Sequence, residues 1–269
     1  MNRINKKVRI PDQATTLTEV LKKNGYLTAG FTGGANISRV FGFDKGFNFY
    51  NERWRTEIGV VFKNMSDWIQ KHRKDKFFLF FHTYEIHEYP PGEHEIFTEG
   101  IKPSDKANFQ KALYDGKIKH VDDYIGLLIE RLKSLNILDK TLIVITSDHG
   151  EEFYEHGFGG HGDHLYDEVL LVPLIFHLKG VVPENVMITN QVRVIDMMPT
   201  VLDILGIPAP KIIEGVSLVP FYKENAKTPL VAFTEATDDL NRLDIREQRS
   251  IRTPEYKYIF YPRLDKEVL

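Results

Sequence analysis

Two short apolar runs, each followed at once by polar residues, constrain this sequence most. Residues 77–81 (FFLFF) lead into residues 82–88 (HTYEIHE), and residues 142–146 (LIVIT) lead into residues 147–152 (SDHGEE). Uniformly apolar runs of this length, bounded by polar residues, are typical of strands buried on both faces of a sheet. In an open α/β sheet, ligands bind beyond the carboxyl ends of the strands. The sequence therefore predicts a binding site where these two strands end.

Helical patterns alternate with such strands along most of the chain. The spacing of apolar residues predicts helices over residues 16–24, 58–72, 115–135 and 194–205 and strands over residues 27–32, 77–81, 142–146 and 170–176, with a loop over residues 33–52. This alternation predicts an α/β fold with a mostly parallel central sheet flanked by helices. After Pro229, closely spaced extended segments without helices predict a small antiparallel subdomain. We therefore expect an α/β core over residues 1–228 and the antiparallel subdomain over residues 229–269.

Composition excludes several classes of function. The 269 residues include 35 Lys and Arg against 38 Asp and Glu, so no basic field points to nucleic acid as a partner. The absence of cysteine excludes a disulfide framework, a thiolate zinc site and a cysteine nucleophile within this sequence. No apolar run is long enough to cross a bilayer, and the first residues do not form a signal peptide. The compartment, periplasmic or cytoplasmic, stays open.

Histidines are concentrated where the two predicted strands end. Six of the ten fall in these segments, together with carboxylates: His82, His87, His149, His156, His161 and His164. A single histidine in a core is usually a satisfied hydrogen-bonding residue, but this clustering favours a metal or anion site. Carboxylate and imidazole groups hold a divalent cation, and the cation with neighbouring histidines neutralises a tetrahedral oxyanion. His-Glu-x-x-His and Gly-x-Ser-x-Gly motifs are both missing from the sequence, which disfavours a zinc protease and a serine hydrolase.

The second cluster also resembles a family motif. ITSDHGEE at residues 145–152, followed by EHG, GHG and LYDE within residues 155–168, resembles the second metal motif of the sulfatases, which belong to the alkaline-phosphatase-like superfamily. Further segments resemble family landmarks in the expected order: TLTEVLKKNGYLTAGF, GFDKGF, FFLFFHTYEIHEYP, YDGKIKHVDDYIGLL, DMMPTVLDILGIPAP and RSIRTPEYKYI. The resemblance implies metal-dependent hydrolysis of a sulfate ester.

The resemblance also implies roles for particular residues. Asp148 and His149 match ligands of a divalent cation, Ca²⁺ in the first place, with Mg²⁺ and Mn²⁺ as alternatives. His87 matches the histidine that contacts the sulfate or the leaving oxygen, and with His149 and His161 it completes the expected catalytic set. His161 lies where the family binds sulfate, and when protonated it would act as a general acid.

For several residues near the motif, the sequence leaves more than one role open. His156 and His164 are alternatives to His161, because the alignment through the glycines allows all three. His82 and Glu85 either orient the site or only complete the strand. The remaining histidines are expected to be structural or exposed: His72, His94, His120 and His177.

Two family elements are not found in this sequence. The nucleophile, a formylglycine made from a Cys/Ser-x-Pro-x-Arg motif, and the paired aspartates that precede it have no counterpart here. We therefore expect the chain to be the middle and C-terminal part of a sulfatase, with the formylglycine upstream and no turnover by the chain alone. Glu85-Ile86-His87 also replaces the usual Asp-Pro-His.

The leading hypothesis is a sulfuric-ester hydrolase acting on a small-molecule or carbohydrate sulfate ester. The same superfamily offers a phosphoric or phosphonic ester hydrolase and a phosphoethanolamine transferase as alternatives. A catalytically inactive remnant that folds poorly or only binds anions is the third reading, because two metal ligands hold an ion weakly when it prefers six or more oxygens.

Overall fold

The computed structural model describes residues 9–54, 57–162, 164–223, 228–236 and 247–269. The chain divides into two compact units, Met1–Asp139 and Lys140–Leu269. The boundary predicted between residues 228 and 229 stays a prediction. Among the described residues, no helix is both long enough and apolar enough to cross a membrane.

A three-stranded parallel sheet organises the first unit. Its order is β2–β1–β3, formed by Phe49–Glu52, Leu27–Thr32 and Phe77–Phe81, and β1 runs parallel to both neighbours. β1 is the best-buried strand, with Ala29 and Phe31 at most 1% exposed. The sheet thus confirms the predicted parallel architecture. The loop predicted over residues 33–52 is wrong at β2, whose sequence FYNE lacks the apolar alternation by which a strand is identified.

Three helices accompany this sheet: α1 Leu17–Lys23, α2 Ile58–His72 and α3 Lys106–Ser134. Thr16 caps α1: the Glu19 amide donates to Thr16 Oγ1 at 3.2 Å, and the Glu19 carboxylate accepts from the Thr16 amide at 3.0 Å. The bounds of α2 are those predicted. α3 begins nine residues before the predicted start, and its first turns already bury Ala112 and Leu113.

The predicted burial of the FFLFF run on both faces is wrong. Four residues of β3 are partly buried, and the fifth, Phe80, is 36% exposed. Within the described part of this unit, β3 is hydrogen-bonded to β1 alone. An apolar sequence therefore identified the strand without fixing how fully it is covered.

The second unit contains antiparallel strands and short helices. β4 Ile143–Thr146 pairs antiparallel with β7 Leu174–His177, and Glu152–Phe153 (β5) pairs antiparallel with Gly159–Gly160 (β6). The predicted strand over residues 170–176 thus begins at Leu174, after Pro173. Before it, Asp167–Leu170 forms α4.

The predicted antiparallel sheet at the C-terminus is confirmed. Its order is β11–β10–β9–β8, built from Lys266–Val268, Lys257–Tyr261, Gln248–Arg252 and Ala232–Ala236. Two further helices, α5 Met197–Ile204 and α6 Val219–Lys223, precede it in the chain. The predicted helix over residues 194–205 is confirmed for α5 and opens with a 3-10 turn at Val194–Asp196.

A buried ion pair fixes the start of α5. Asp196 is fully buried and accepts hydrogen bonds from the Arg193 guanidinium at 2.7 and 3.0 Å. Its carboxylate also accepts from the backbone amides of Arg193 at 2.9 Å and Val216 at 3.0 Å. Hydrogen bonding to Asp196 raises the pKa of Arg193. Such full pairing is required because an ionised group is costly to bury unless it is paired and hydrogen-bonded.

Candidate metal and active site

A tight turn after β4 positions the two predicted metal ligands. Ser147 Oγ donates to the backbone carbonyl of His149 at 2.7 Å, and the His149 amide donates to Asp148 Oδ1 at 3.1 Å. The Asp148 side chain is 75% exposed, whereas that of His149 is 33% exposed. The turn therefore leaves the carboxylate accessible while it holds the imidazole in place.

Asp148 and His149 present two ligand atoms to the same point. His149 Nδ1 lies 2.8 Å from the carbonyl oxygen of Gly150, so Nδ1–H is the donor and Nε2 keeps its lone pair. His149 Nε2 lies 3.9 Å from Asp148 Oδ2. Since Ca²⁺ binds oxygen at about 2.3–2.6 Å, one ion can contact two atoms at this separation. The pair therefore fits the divalent cation that the sequence predicts.

His161 stands next to this pair and is held by a buried carboxylate. Its Nδ1 lies 2.9 Å from Oε2 of Glu151, whose side chain is only 4% exposed. The rings of His149 and His161 stack with centroids 3.9 Å apart and an angle of 27°. β5 and β6 pair Glu152 with Gly160, which brings the two ends of this hairpin, Glu151 and His161, together. The structure thus places Asp148, His149 and His161 in one cluster.

The two alternative histidines have other surroundings. His156 Nδ1 lies 3.6 Å from Glu152 Oε1, and the His156 ring stacks on Tyr166 at 3.7 Å. His164 packs against Phe158 with ring centroids 4.0 Å apart. Of the three candidates, His161 is the one that stacks on His149. Asp163, in the same sequence cluster, lies outside the described residues.

Gly150 allows this loop to contact the backbone of α4. A Cβ atom at Gly150 would lie 2.1 Å from the carbonyl oxygen of Glu168, and the Gly150 amide donates to the Val169 carbonyl at 2.7 Å. No side chain can occupy that space without a shift of backbone. A glycine directly after His149 is therefore a packing requirement of the site.

The antiparallel sheet anchors α4 through one carboxylate. Asp167 lies 3.1 Å from Arg252 Nη2 on β9 and 2.9 Å from Lys257 Nζ on β10. Burial raises the pKa of Asp167, but hydrogen bonds and charge from the two cations outweigh burial and lower it. Burial lowers the pKa of Lys257, and the nearby charge of Arg252 acts in the same direction. α4, which Gly150 contacts, is thus attached to the C-terminal sheet.

The first unit carries the other predicted site residues, after β3. The His82 amide donates to the Phe31 carbonyl at 2.9 Å and extends the β1–β3 pairing. The His87 amide donates to the Tyr84 carbonyl at 3.1 Å, and the His87 ring lies 4.6 Å from that of Tyr84. His87 therefore occupies a defined turn in this unit. Its predicted contact with the sulfate group stays a prediction.

Glu85 makes contacts with α2 and α3 that the sequence did not indicate. Its Oε1 accepts from Lys117 Nζ at 3.3 Å, and its Oε2 accepts from the Ile58 amide at the start of α2 at 3.4 Å. Glu85 also lies with His94 and His120 in a group whose ligand atoms are all within 4.8 Å of one another. These two histidines were predicted to be structural or exposed. Their proximity was missed because they lie 26 residues apart and belong to no short motif.

Solved structures with a similar fold include hydrolases of two types. A candidate sulfatase from Bacteroides thetaiotaomicron aligns with a TM-score of 0.77 at 18% identity, over 97% of this chain and 68% of that one. A phosphonate monoester hydrolase from Silicibacter pomeroyi aligns with a TM-score of 0.74 at 17% identity, over 94% of this chain and 72% of that one. At these identities the likeness establishes the fold.

Relatives identified by sequence are sulfatases. The chain is 30% identical to arylsulfatase K of Bos taurus over 156 residues, which are 56% of this chain. It is 30% identical to an N-acetylglucosamine-6-O-sulfatase of Bacteroides thetaiotaomicron over 158 residues, which are 57% of this chain. The matched region spans 28% of the length of each relative.

Family profiles cover nearly the whole chain. The profile of the N-sulphoglucosamine sulphohydrolase C-terminal region matches residues 155–268. The profile of the sulfatase family matches residues 1–207, which include both strand-end clusters. Sulfatases use a divalent metal ion, and the donors at Asp148 and His149 suit one. The chain belongs to the sulfatase family.

Proposed function

We propose that this chain forms part of a sulfuric-ester hydrolase whose substrate is a sulfated carbohydrate. The observation that carries the proposal is the cluster in which His161, held by buried Glu151, stacks on His149 beside the Asp148 carboxylate. The finer proposals are Ca²⁺ as the ion, ahead of Mg²⁺ and Mn²⁺, and a formylglycine nucleophile from outside this sequence.

Asp148 and His149 would hold the cation. Asp148 offers an exposed carboxylate oxygen, and the contact of His149 Nδ1 with the Gly150 carbonyl directs the Nε2 lone pair outward. When bound, the cation neutralises negative charge on the sulfate oxygens. Exposure of Asp148 leaves room for further ligands, which a hard cation requires because it takes six or more oxygens.

His161 would act as the general acid that protonates the leaving group. Because Nδ1–H is bound to Glu151, a proton on Nε2 makes the ring a cation that the carboxylate stabilises. As the oxygen of the nucleophile bonds to sulfur and the ester sulfur–oxygen bond breaks, Nε2 would give this proton to the departing oxygen, which leaves as a neutral alcohol. Nε2 then carries a lone pair and can accept a proton from water in the next step.

The substrate class is proposed from the relatives. One of them is named for removing sulfate from the 6-oxygen of N-acetylglucosamine. The alternative within the superfamily is hydrolysis of a phosphoric or phosphonic ester, or transfer of phosphoethanolamine. A phosphonate monoester hydrolase has a similar fold. A sulfate monoester carries one negative charge, whereas a phosphate monoester carries up to two. The charge of the protein near His161 therefore discriminates between the two classes of substrate.

The test compares esters with the full-length natural gene product. We expect sulfate release from N-acetylglucosamine-6-sulfate and from 4-nitrophenyl sulfate, with kcat/KM higher than for 4-nitrophenyl phosphate or a phenylphosphonate monoester. His161→Ala should reduce kcat by roughly 100-fold or more, the usual scale of a general acid. The exposed-residue variant Glu184→Ala is the control. Preference for the phosphorus esters would support the alternative, and absence of all turnover would support a non-catalytic anion binder.

A further inference from the structure

A second group of metal-ligating side chains lies in the first unit, on residues that the proposed sulfate chemistry does not use. Glu85 follows β3, His94 belongs to the next loop, and His120 is on α3. Their ligand atoms all lie within 4.8 Å of one another. The two imidazole rings stack with centroids 4.0 Å apart, and His120 Nε2 lies 3.9 Å from Glu85 Oε1.

The charge around this group favours a cation. Lys117 forms ion pairs with Glu85 at 3.3 Å and with Glu93 at 2.7 Å, so two carboxylates share one ammonium. With both histidines neutral, the group carries one net negative charge. A carboxylate oxygen has two lone pairs, so Lys117 leaves acceptor capacity on Glu85.

The backbone is shaped to bring His94 against α3. His94 has a positive φ of 53°, although non-glycine residues seldom adopt this conformation. The His94 backbone packs directly against Gly116 of α3. A Cβ atom at Gly116 would lie 1.9 Å from the His94 carbonyl oxygen. A glycine inside a helix is unfavourable relative to alanine. Both features maintain the contact that places His94 beside His120.

We propose that Glu85, His94 and His120 form a binding site for a transition-metal ion of the zinc class. Two imidazoles and one carboxylate are a ligand set for Zn²⁺, whereas Ca²⁺ and Mg²⁺ prefer oxygen ligands alone. Three protein ligands leave a fourth tetrahedral position for water. The site is distinct from the one at Asp148 and His149 in both its residues and its preferred ion.

The bound ion would join three segments of the first unit. It would connect the turn after β3, the loop that contains His94, and the middle of α3. Glu85 is two residues from His87 and contacts the first amide of α2. Zinc is therefore expected to stabilise the turn that carries His87 and to raise the melting temperature of the protein, because it binds the folded state selectively.

The test titrates the protein with Zn²⁺ by calorimetry in the presence of excess Ca²⁺. We expect one zinc equivalent in the wild type, a loss of roughly tenfold or more in affinity for His94→Ala and for His120→Ala, and no specific binding in the double variant. Co²⁺ should give the strong visible absorption of a four-coordinate site. His72→Ala is the matched control, since His72 also contacts a carboxylate, Asp75 at 2.7 Å, elsewhere in the same unit.

Zinc could instead bind the histidine-rich loop of the second unit. The variant His149→Ala/His161→Ala separates the two sites without altering the proposed one. Retention of the zinc equivalent and the cobalt spectrum in this variant supports the proposal, even if the His94 or His120 variants fail to fold. Loss of both signals there, or wild-type affinity in folded His94→Ala/His120→Ala, overturns it. Neither result depends on sulfatase activity.

Discussion

Glu151 Oε2 lies 2.9 Å from Nδ1 of His161, and the Glu151 side chain is 4% exposed. A buried carboxylate in this position fixes both the tautomer and the orientation of the imidazole. Glu151 is accordingly a positioning residue that acts through His161. The hairpin of β5 and β6 is the element that maintains this pair.

Removing the Glu151 carboxylate should reduce turnover more than substrate binding. We expect Glu151→Ala to lower kcat by about 10–100-fold with a smaller change in KM. Glu151→Gln keeps an acceptor for Nδ1–H and should recover part of the loss. Steady-state kinetics of the full-length gene product with a sulfate ester checks this, with Glu184→Ala as the control. Equal losses in the two Glu151 variants would contradict a role in orientation.

Asp148 should determine cation affinity. Because its carboxylate is one of the two proposed metal ligands after β4, we expect Asp148→Asn to weaken Ca²⁺ binding by roughly tenfold or more. Isothermal titration with Ca²⁺, Mg²⁺ and Mn²⁺ measures the effect and ranks the three ions. Asp122→Asn, at an exposed aspartate of α3, is the matched control. Unchanged affinity in Asp148→Asn would show that the ion binds elsewhere.

Gly150 should tolerate no side chain. Because a Cβ atom would lie 2.1 Å from the Glu168 carbonyl, Gly150→Ala must separate the loop from α4. Overpacking of this kind costs about 1–3 kcal/mol, and here the shift would also displace His149. Thermal unfolding and Ca²⁺ titration of the variant should both show losses. Gly126→Ala, where a Cβ atom would have no neighbour within 4 Å, should show neither.

Sequence patterns predicted much of this molecule, and the failures have physical causes. Apolar runs identified β3 and β4, and the helical spacing of apolar residues identified α1, because these signals are local. The burial of β3 and the antiparallel pairing of β4 with β7 depend on neighbouring strands, which no local pattern encodes. The Asp148–His149 motif was visible as adjacent residues.

The contacts that give the site its geometry are less local. Glu151 reaches His161 across a hairpin, and Glu85 meets His94 and His120 through three separate segments. Clustering of histidines along the sequence indicated the first of these groups. It could not indicate the second, whose members are dispersed.

Asp196 should be among the residues most important for stability. Its buried carboxylate binds the Arg193 guanidinium and two backbone amides, which would be left unpaired without it. Removing one partner of a buried pair costs about 3–5 kcal/mol, so we expect a loss of that order for Asp196→Ala. Urea unfolding followed by circular dichroism measures the change, and Asp122→Ala provides the exposed-residue comparison. A loss below about 1 kcal/mol would mean that water replaces these contacts.

Asp167 should make the attachment of α4 sensitive to acid. Burial acts to raise its pKa, but hydrogen bonds and charge from Arg252 and Lys257 lower it below the ordinary value of 3.8. A group with a lower pKa in the folded state contributes its stability fully above the unfolded pKa. That contribution is lost as the pH falls through the folded value. The Asp167 side chain is 38% exposed, so solvent screening limits the contribution to about 1 kcal/mol or less.

Comparing Asp167→Asn with the wild type across pH tests this linkage. The variant should be less stable at pH 7, and the difference should shrink as the pH falls from 3.8 through the lower pKa of Asp167 in the folded protein. Urea unfolding at a series of pH values gives both free energies, with Asp122→Asn as the control. A difference that stays constant through this range would assign the loss to packing of α4. A difference that vanishes would assign it to the charge that Arg252 and Lys257 stabilise.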